Sequence, residues 1–310
     1  MKRFLFSFIK FIFPVIVLIC GIEMYVLYYP STFNKKAKYL KQHTDSIKTI
    51  ILGSSHNQNA LNPEFLNSQA INLANAGQDI QIDAALFFKN IGKLTSVNKV
   101  ILEIDYHSLE EKNGPDYFRI PWYYRFYDIE IYPVSFLNRF SVYASSPSFF
   151  NQLILDEINP KKIRYKLNQF GFIMNDFPGV MEDLKYDSLK LAETAMERLK
   201  DKHVLQSVDN CNYNKSKLNT IIDYCIKNNI EVILISTPMY STYINHQITA
   251  KNIRRMNYID SLKNLSNIYY YNFENSNKFG VHDFKNDDHL NSIGSKKFTL
   301  IIDSLLNSAK

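Results

Sequence analysis

The chain has 310 residues, 46% of them hydrophobic and 14% aromatic, with 21 Tyr and 22 Phe, which excludes a disordered polymer and is enough for one sizeable α/β core or two small domains. Its 36 Lys and Arg against 30 Asp and Glu leave a formal charge of +6. The lysines are scattered, so no basic stripe points to nucleic acid. Of the three cysteines, Cys20 lies in an apolar stretch, and Cys211 and Cys225 give neither a metal-ligand pattern nor a disulfide framework; one bridge between them is left open for an exported domain.

The first element is the apolar run from Phe11 to Tyr29, "FIFPVIVLICGIEMYVLYYP" with its following Pro30. About 20 such residues cross a bilayer, so residues 1–30 read as a single membrane anchor. No small-residue cleavage site follows the apolar core, which argues against a removed signal, and bulky Ile19 before Cys20 argues against lipid attachment. Tyr25, Tyr28 and Tyr29 suit the far interface. Lys2, Arg3 and Lys10 on one side nearly balance Lys35, Lys36, Lys38 and Lys41 on the other, so an inside N-terminus rests on its place at the chain start. The other reading is an apolar helix packed into the globular part.

Residues 31–45 read as a lysine-rich linker. From there "SIKTIIL" (46–52), "AINL" (70–73), "KVILEI" (99–104), "EVILIS" (231–236) and "NIYYYN" (267–272) read as buried strands, while 79–91, 215–227, 250–262 and 291–306 have helical periodicity. Strands alternating with helices predict parallel pairing and a three-layer α/β/α domain over 46–310. Residues 107–210 break the alternation and read as an insertion after the third strand. It carries the single tryptophan, Trp122, among many Tyr and Phe. It reads as a lid, a substrate wall that holds sugar rings, or a second packing layer.

Ligands of such sheets sit beyond the carboxyl ends of the strands. The first strand ends in Gly53, Ser54, Ser55 and His56, the second leads to Asn75, Gly77 and Gln78, the third to Asp105, Tyr106 and His107, and the last to "VHDFKNDDHLNSIGS" with Asn286, Asp287, Asp288 and His289. A serine hydroxyl needs a base to take its proton, and an imidazole serves best when an acceptor fixes its tautomer. Ser55, His289 and a neighbouring acid supply these parts. The N–H groups of Ser55 and Gly77 and an amide side chain would serve the oxyanion. His56 reads as a substrate contact or a cap of the turn, and His107, His203 and His246 as surface or packing residues. His282, Asp287 and His289 lack the pattern of a zinc site, and no phosphate loop is present, so neither metal nor cofactor is expected.

On "ILGSSH", "NLANAGQD" and "NDDHLNSIGSKKF" the chain resembles the SGNH (GDSL-like) hydrolase superfamily, most of all its membrane-anchored, DltD-like and polysaccharide-associated branch. The resemblance covers about residues 45–110 and 215–307. It implies a parallel flavodoxin-like sheet, Ser55 as nucleophile, Gly77 as oxyanion donor and His289 as base. The first block matches with Ser54 in place of the aspartate, and the chain departs from the family pattern at three places: Asn286 stands for the aspartate of D-x-x-H, Asp105 and Tyr106 stand for the turn that carries an asparagine, so that Asn75 or Gln78 would replace this donor, and His56 next to the nucleophile is unusual for a generic member. The implied function is that of a serine esterase or O-acyltransferase acting on acyl esters of a cell-envelope glycan, on the extracytoplasmic side of a bacterial inner membrane. A catalytically impaired binding or assembly factor is the alternative.

Overall fold

Thr49–Leu52 (β1), Ala70–Asn72 (β2), Lys99–Glu103 (β3), Glu231–Ser236 (β4) and Ile268–Asn272 (β5) form one parallel sheet in the order β2-β1-β3-β4-β5. The sheet belongs to a computed structural model that describes residues 1–162, 166–174 and 180–308. Near-continuous apolar runs fit strands covered on both faces, because side chains alternate between the two. Ile50, Leu52, Val100, Leu102, Val232 and Leu234 join one hydrophobic cluster, and Ile51, Ile101, Ile233 and Ile235 join another. The first cluster takes in Leu86 and Phe87 of Ile80–Asn90 (α4), Leu218 and Ile222 of Val208–Lys227 (α10), and Ile259 and Leu262 of Thr249–Leu262 (α12). The second takes in Phe298, Ile302 and Leu306 of Ser292–Ser308 (α13).

Lys2–Tyr28 (α1) is a helix long and apolar enough to cross a membrane. At 1.5 Å per residue it reaches about 40 Å, against about 30 Å of hydrocarbon. The segment expected as a linker is instead a helix, Thr32–Gln42 (α2), capped by Ser31, whose hydroxyl accepts from Asn34 N at 3.2 Å. Phe33, Lys36, Ala37 and Leu40 recur at the spacing of one helical face and are all buried. Counting lysines hid that face, because Lys36 is itself inside, donating to Ala74 O at 2.5 Å.

Between β3 and β4 lie Ile120–Tyr127 (α5), Phe136–Phe140 (α6), Pro147–Ile158 (α7), Val180–Asp183 (α8), Ser188–Lys202 (α9) and α10, with no strand of the main sheet among the described residues. The helix expected over 215–227 begins earlier, at Val208, because Ser207 caps it, accepting from Asn210 N. Cys211 and Cys225 are free on that one helix; fourteen residues of helix separate them by about 21 Å, which rules out the bridge left open above. Ser55–Ala60 (α3) follows β1, Ser241–Ile244 (α11) follows β4, and Phe284–Asn286 (β6) pairs antiparallel with His289–Leu290 (β7) ahead of α13.

Candidate active site

The turn after β1 is held by acids that the apolar pattern of the strands concealed. Gly53 has φ +136°, and a Cβ there would lie 2.6 Å from Glu103 Cβ, so glycine meets both a backbone and a space requirement. Glu103, at the end of β3, accepts from Ser54 N at 2.8 Å, Asn57 N at 2.9 Å and Ser54 Oγ at 2.5 Å. Asp83 of α4 accepts from Gly53 N at 2.9 Å. Burial pushes Asp83 up to about 8 and, with the nearby Asp105 charge, Glu103 up to about 7. The chain is thereby forced from strand into helix with Ser55 as the first residue of α3.

Ser55 Oγ lies 2.7 Å from Nε2 of His289, which β7 presents at the same rim. The Nδ1–H of that ring is taken by Asn286 Oδ1 at 2.9 Å. Asp288 Oδ1 lies 2.8 Å from the same nitrogen but makes no aligned hydrogen bond, and so acts on the ring as a charge. This leaves Nε2 as the acceptor facing the serine. Burial pushes His289 down to about 4 despite the Asp288 carboxylate, so the ring is a neutral base at pH 7. Burial alone would raise Asp288, but His289 and His56 outweigh it and hold that carboxyl well below the usual range.

A second chain of charge runs behind this pair. His56 Nδ1 meets Asp105 Oδ2 at 2.5 Å and its Nε2 meets Asp288 Oδ2 at 3.3 Å. Burial opposes charging this ring, yet its bonds to Asp105 and Asp288 hold its pKa well above the ordinary value. His56 is therefore an imidazolium donating to both acids. Asp105 is fixed from β4 by Thr237 N at 2.8 Å and Thr237 Oγ1 at 2.7 Å. Arg198, reaching in from α9 of the insertion, sits with Nε 2.5 Å from Asp288 Oδ1.

Ser55 borders a cavity of about 360 Å³ lined mostly by polar side chains, among them Asp79, His107, Glu111, Asn113, Arg198 and His203. Neither the N–H of Ser55 nor that of Gly77 makes a hydrogen bond within the described residues, and both residues line this cavity. They are two of the donors that the sequence reading expects for an oxyanion. Gly77 has φ +70° and would place a Cβ 2.8 Å from Tyr117 Oη. His107 and Glu111 each keep a buried polar atom, Nδ1 and Oε1, without a hydrogen-bond partner among the described residues, Glu111 Oε1 lying 3.9 Å from His203 Nε2. Burial lowers His107 well below its ordinary value, lowers His203 to about 3 and raises Glu111 to about 7.

Several expectations change. His56 is not the cap of the turn; the cap is Ser54 Oγ, which accepts from His56 N at 3.3 Å, while the ring is clamped between two acids. His107 and His203 are buried and line the cavity. Asp287 does not reach His289: Thr242 Oγ1 and Thr194 Oγ1 hold it at 2.9 and 3.1 Å. Asp105 holds His56 and Tyr106 is packed inside, its hydroxyl accepting from Ile248 N, so neither borders the cavity. Asn75 Nδ2 is spent on Leu73 O and Gln78 Oε1. Gln78 borders the cavity, gives one amide hydrogen bond to Asp83 and takes Tyr123 Oη–H.

Trp122 does not line the cavity that Ser55 borders and sits in an aromatic cluster with Phe33, Phe118 and Phe150, with Nε1 donating to Ser145 Oγ. It packs against these rings and also lines a second, more apolar cavity. Glu103, Asp83, Glu111 and Arg198 were missed; only Glu103, an acid inside "KVILEI", left a signal in the sequence. Two groups bring metal-ligating atoms within 4.8 Å, His56 with Asp288 and His289, and His56 with Glu103 and His107. Both ring nitrogens of His56 and His289 already have protein partners, so the arrangement reads as a proton network. No family model matches this chain, and no curated protein does.

Proposed function

We propose that this protein is a membrane-anchored serine esterase or O-acyltransferase of SGNH type, a three-layer α/β/α domain on the extracytoplasmic side of a bacterial inner membrane acting on acyl esters of an envelope glycan. The observation that carries the reading is the 2.7 Å contact of Ser55 Oγ with a neutral His289 Nε2 at the edge of a polar cavity. Ser55 Oγ attacks the acyl carbonyl as its proton passes to His289, and the carbonyl oxygen, now an anion, takes the N–H groups of Ser55 and Gly77. Collapse expels the alcohol with the proton from His289. Water or a sugar hydroxyl then gives its proton to His289 and resolves the acyl-serine.

The imidazolium formed on the way has its Nδ1–H on Asn286 and the Asp288 charge beside it, which lowers the energy of the charge-separated state. His107 Nδ1 and Glu111 Oε1, which lack hydrogen-bond partners among the described residues, suit a ligand rich in hydroxyl groups. The test is a fluorophosphonate probe and a chromogenic acetyl ester on the full chain in detergent. Wild type should label and turn over, and Ser55→Ala should lose both, the turnover by on the order of 10³-fold or more. Labelling that survives Ser55→Ala, or none in the wild type, favours the binding or assembly factor instead.

A further inference from the structure

A second cavity, of about 300 Å³, reaches Gln58 and Asn59 of α3, the helix that begins at Ser55, and has a different character. One wall is Val26, Tyr29 and Pro30 at the exit of α1; another is Phe149, Phe150 and Leu153 of α7 in the insertion; a third is Asn75, Ala76 and the Gln58–Asn59 pair of α3. Its lining includes two cations, Arg119 and Lys285, and no acid among the described residues. Arg119 donates to Ala76 O and Tyr117 Oη, its Nε is buried without a partner, and no carboxylate among the described residues pairs with it.

The place of this cavity follows from α1. Glu23 accepts from Ser141 Oγ and from the N–H groups of Val142 and Tyr143, which pins the insertion to the helix about 7.5 Å before its last residue, at 1.5 Å rise per residue. With α1 in a bilayer, that level is the interface. Phe136, Leu137 and Phe140 of α6, directly before the pinned segment, are 80%, 64% and 64% exposed. Such a patch beside a membrane span faces lipid rather than water.

We propose that this cavity binds an acyl chain of an anionic membrane phospholipid, with the headgroup phosphate at Arg119. The apolar walls take the chain, the guanidinium without a carboxylate partner takes the phosphate, and the exit of α1 supplies continuity with the bilayer. Asn59, which lines the cavity, donates to Ser55 O at 2.6 Å, so the lipid site and the nucleophile share the first turns of α3.

The test uses the full chain in nanodiscs containing phosphatidylglycerol or phosphatidylcholine with a diazirine in the acyl chain, and adducts are mapped by mass spectrometry. Adducts are expected in peptides spanning residues 119–126 and 149–153, with phosphatidylglycerol favoured by about fivefold in labelling. Leu153→Trp should cut labelling of these peptides by about tenfold, and Arg119→Gln should equalise the two lipids. Ser55→Ala should label as the wild type does, which keeps the outcome separate from that of the esterase reading. Wild-type adducts confined to residues 2–28, or equal labelling by both lipids, would overturn the proposal without recourse to any variant.

Discussion

His289 is neutral because burial disfavours its charged form more than the adjacent Asp288 carboxylate favours it. With its pKa pushed down to about 4, kcat/KM for an activated ester should stay level through neutral pH. Below about pH 4 it should fall about tenfold per unit as the ring takes a proton from solvent instead; an ordinary histidine would put that limb near about 6.5. Asp288 and Asn286 divide what one triad acid does elsewhere, the first giving charge and the second direction. Asp288→Asn should therefore cost on the order of 10² to 10⁴ in kcat, whereas Asn286→Ala should cost about tenfold, read from the same assay. At Gly53 the left-handed backbone and the Glu103 contact combine, and Gly53→Ala should lower stability by about 2–4 kcal/mol in urea titration.

Among the elements, α2 departs most from its sequence reading. Its inward lysine is compatible with a core because the amine has one carbonyl to bond, Ala74 O, and a pKa that burial pushes down to about 7. An unfolded chain keeps that proton up to about 10.5. Between about pH 7 and 10.5 the unfolded state thus binds more protons, and folding stability rises with pH on account of this group. Lys36→Met removes the rise, so the stability of the wild type relative to the variant should increase from about pH 7 to pH 10 in paired denaturant midpoints; no change would place the amine in water. Strand β3 carries the same lesson in reverse. Its continuous apolar run was legible, but the one acid in it, Glu103, was absorbed into the strand pattern although it holds the turn that presents Ser55.

At the scale of the whole molecule, the insertion joins the membrane helix to the site. Glu23 ties residues 141–143 to α1, and Arg198 on α9 reaches Asp288. Breaking the first link with Glu23→Ala should speed hydrogen exchange at the Val142 and Tyr143 amides, with Leu102 in β3 unchanged. Exchange that stays at the wild-type rate would mean that the insertion is held by its aromatic packing alone.

Local patterns in the sequence were sufficient for the apolar N-terminal helix, the five strands and their parallel pairing, because apolar runs of strand length and helical periods report burial directly. They also pointed to Ser55 and His289, since strand ends in a parallel sheet gather at one rim. Which acceptor orients the His289 ring, the clamping of His56 between Asp105 and Asp288, and the arrival of Arg198 were settled only by the tertiary structure. The contacts of His56 and of Ser55 with His289 join residues 49 to 234 positions apart, and the energy of a buried charge depends on the partners that folding brings to it rather than on its neighbours in the chain.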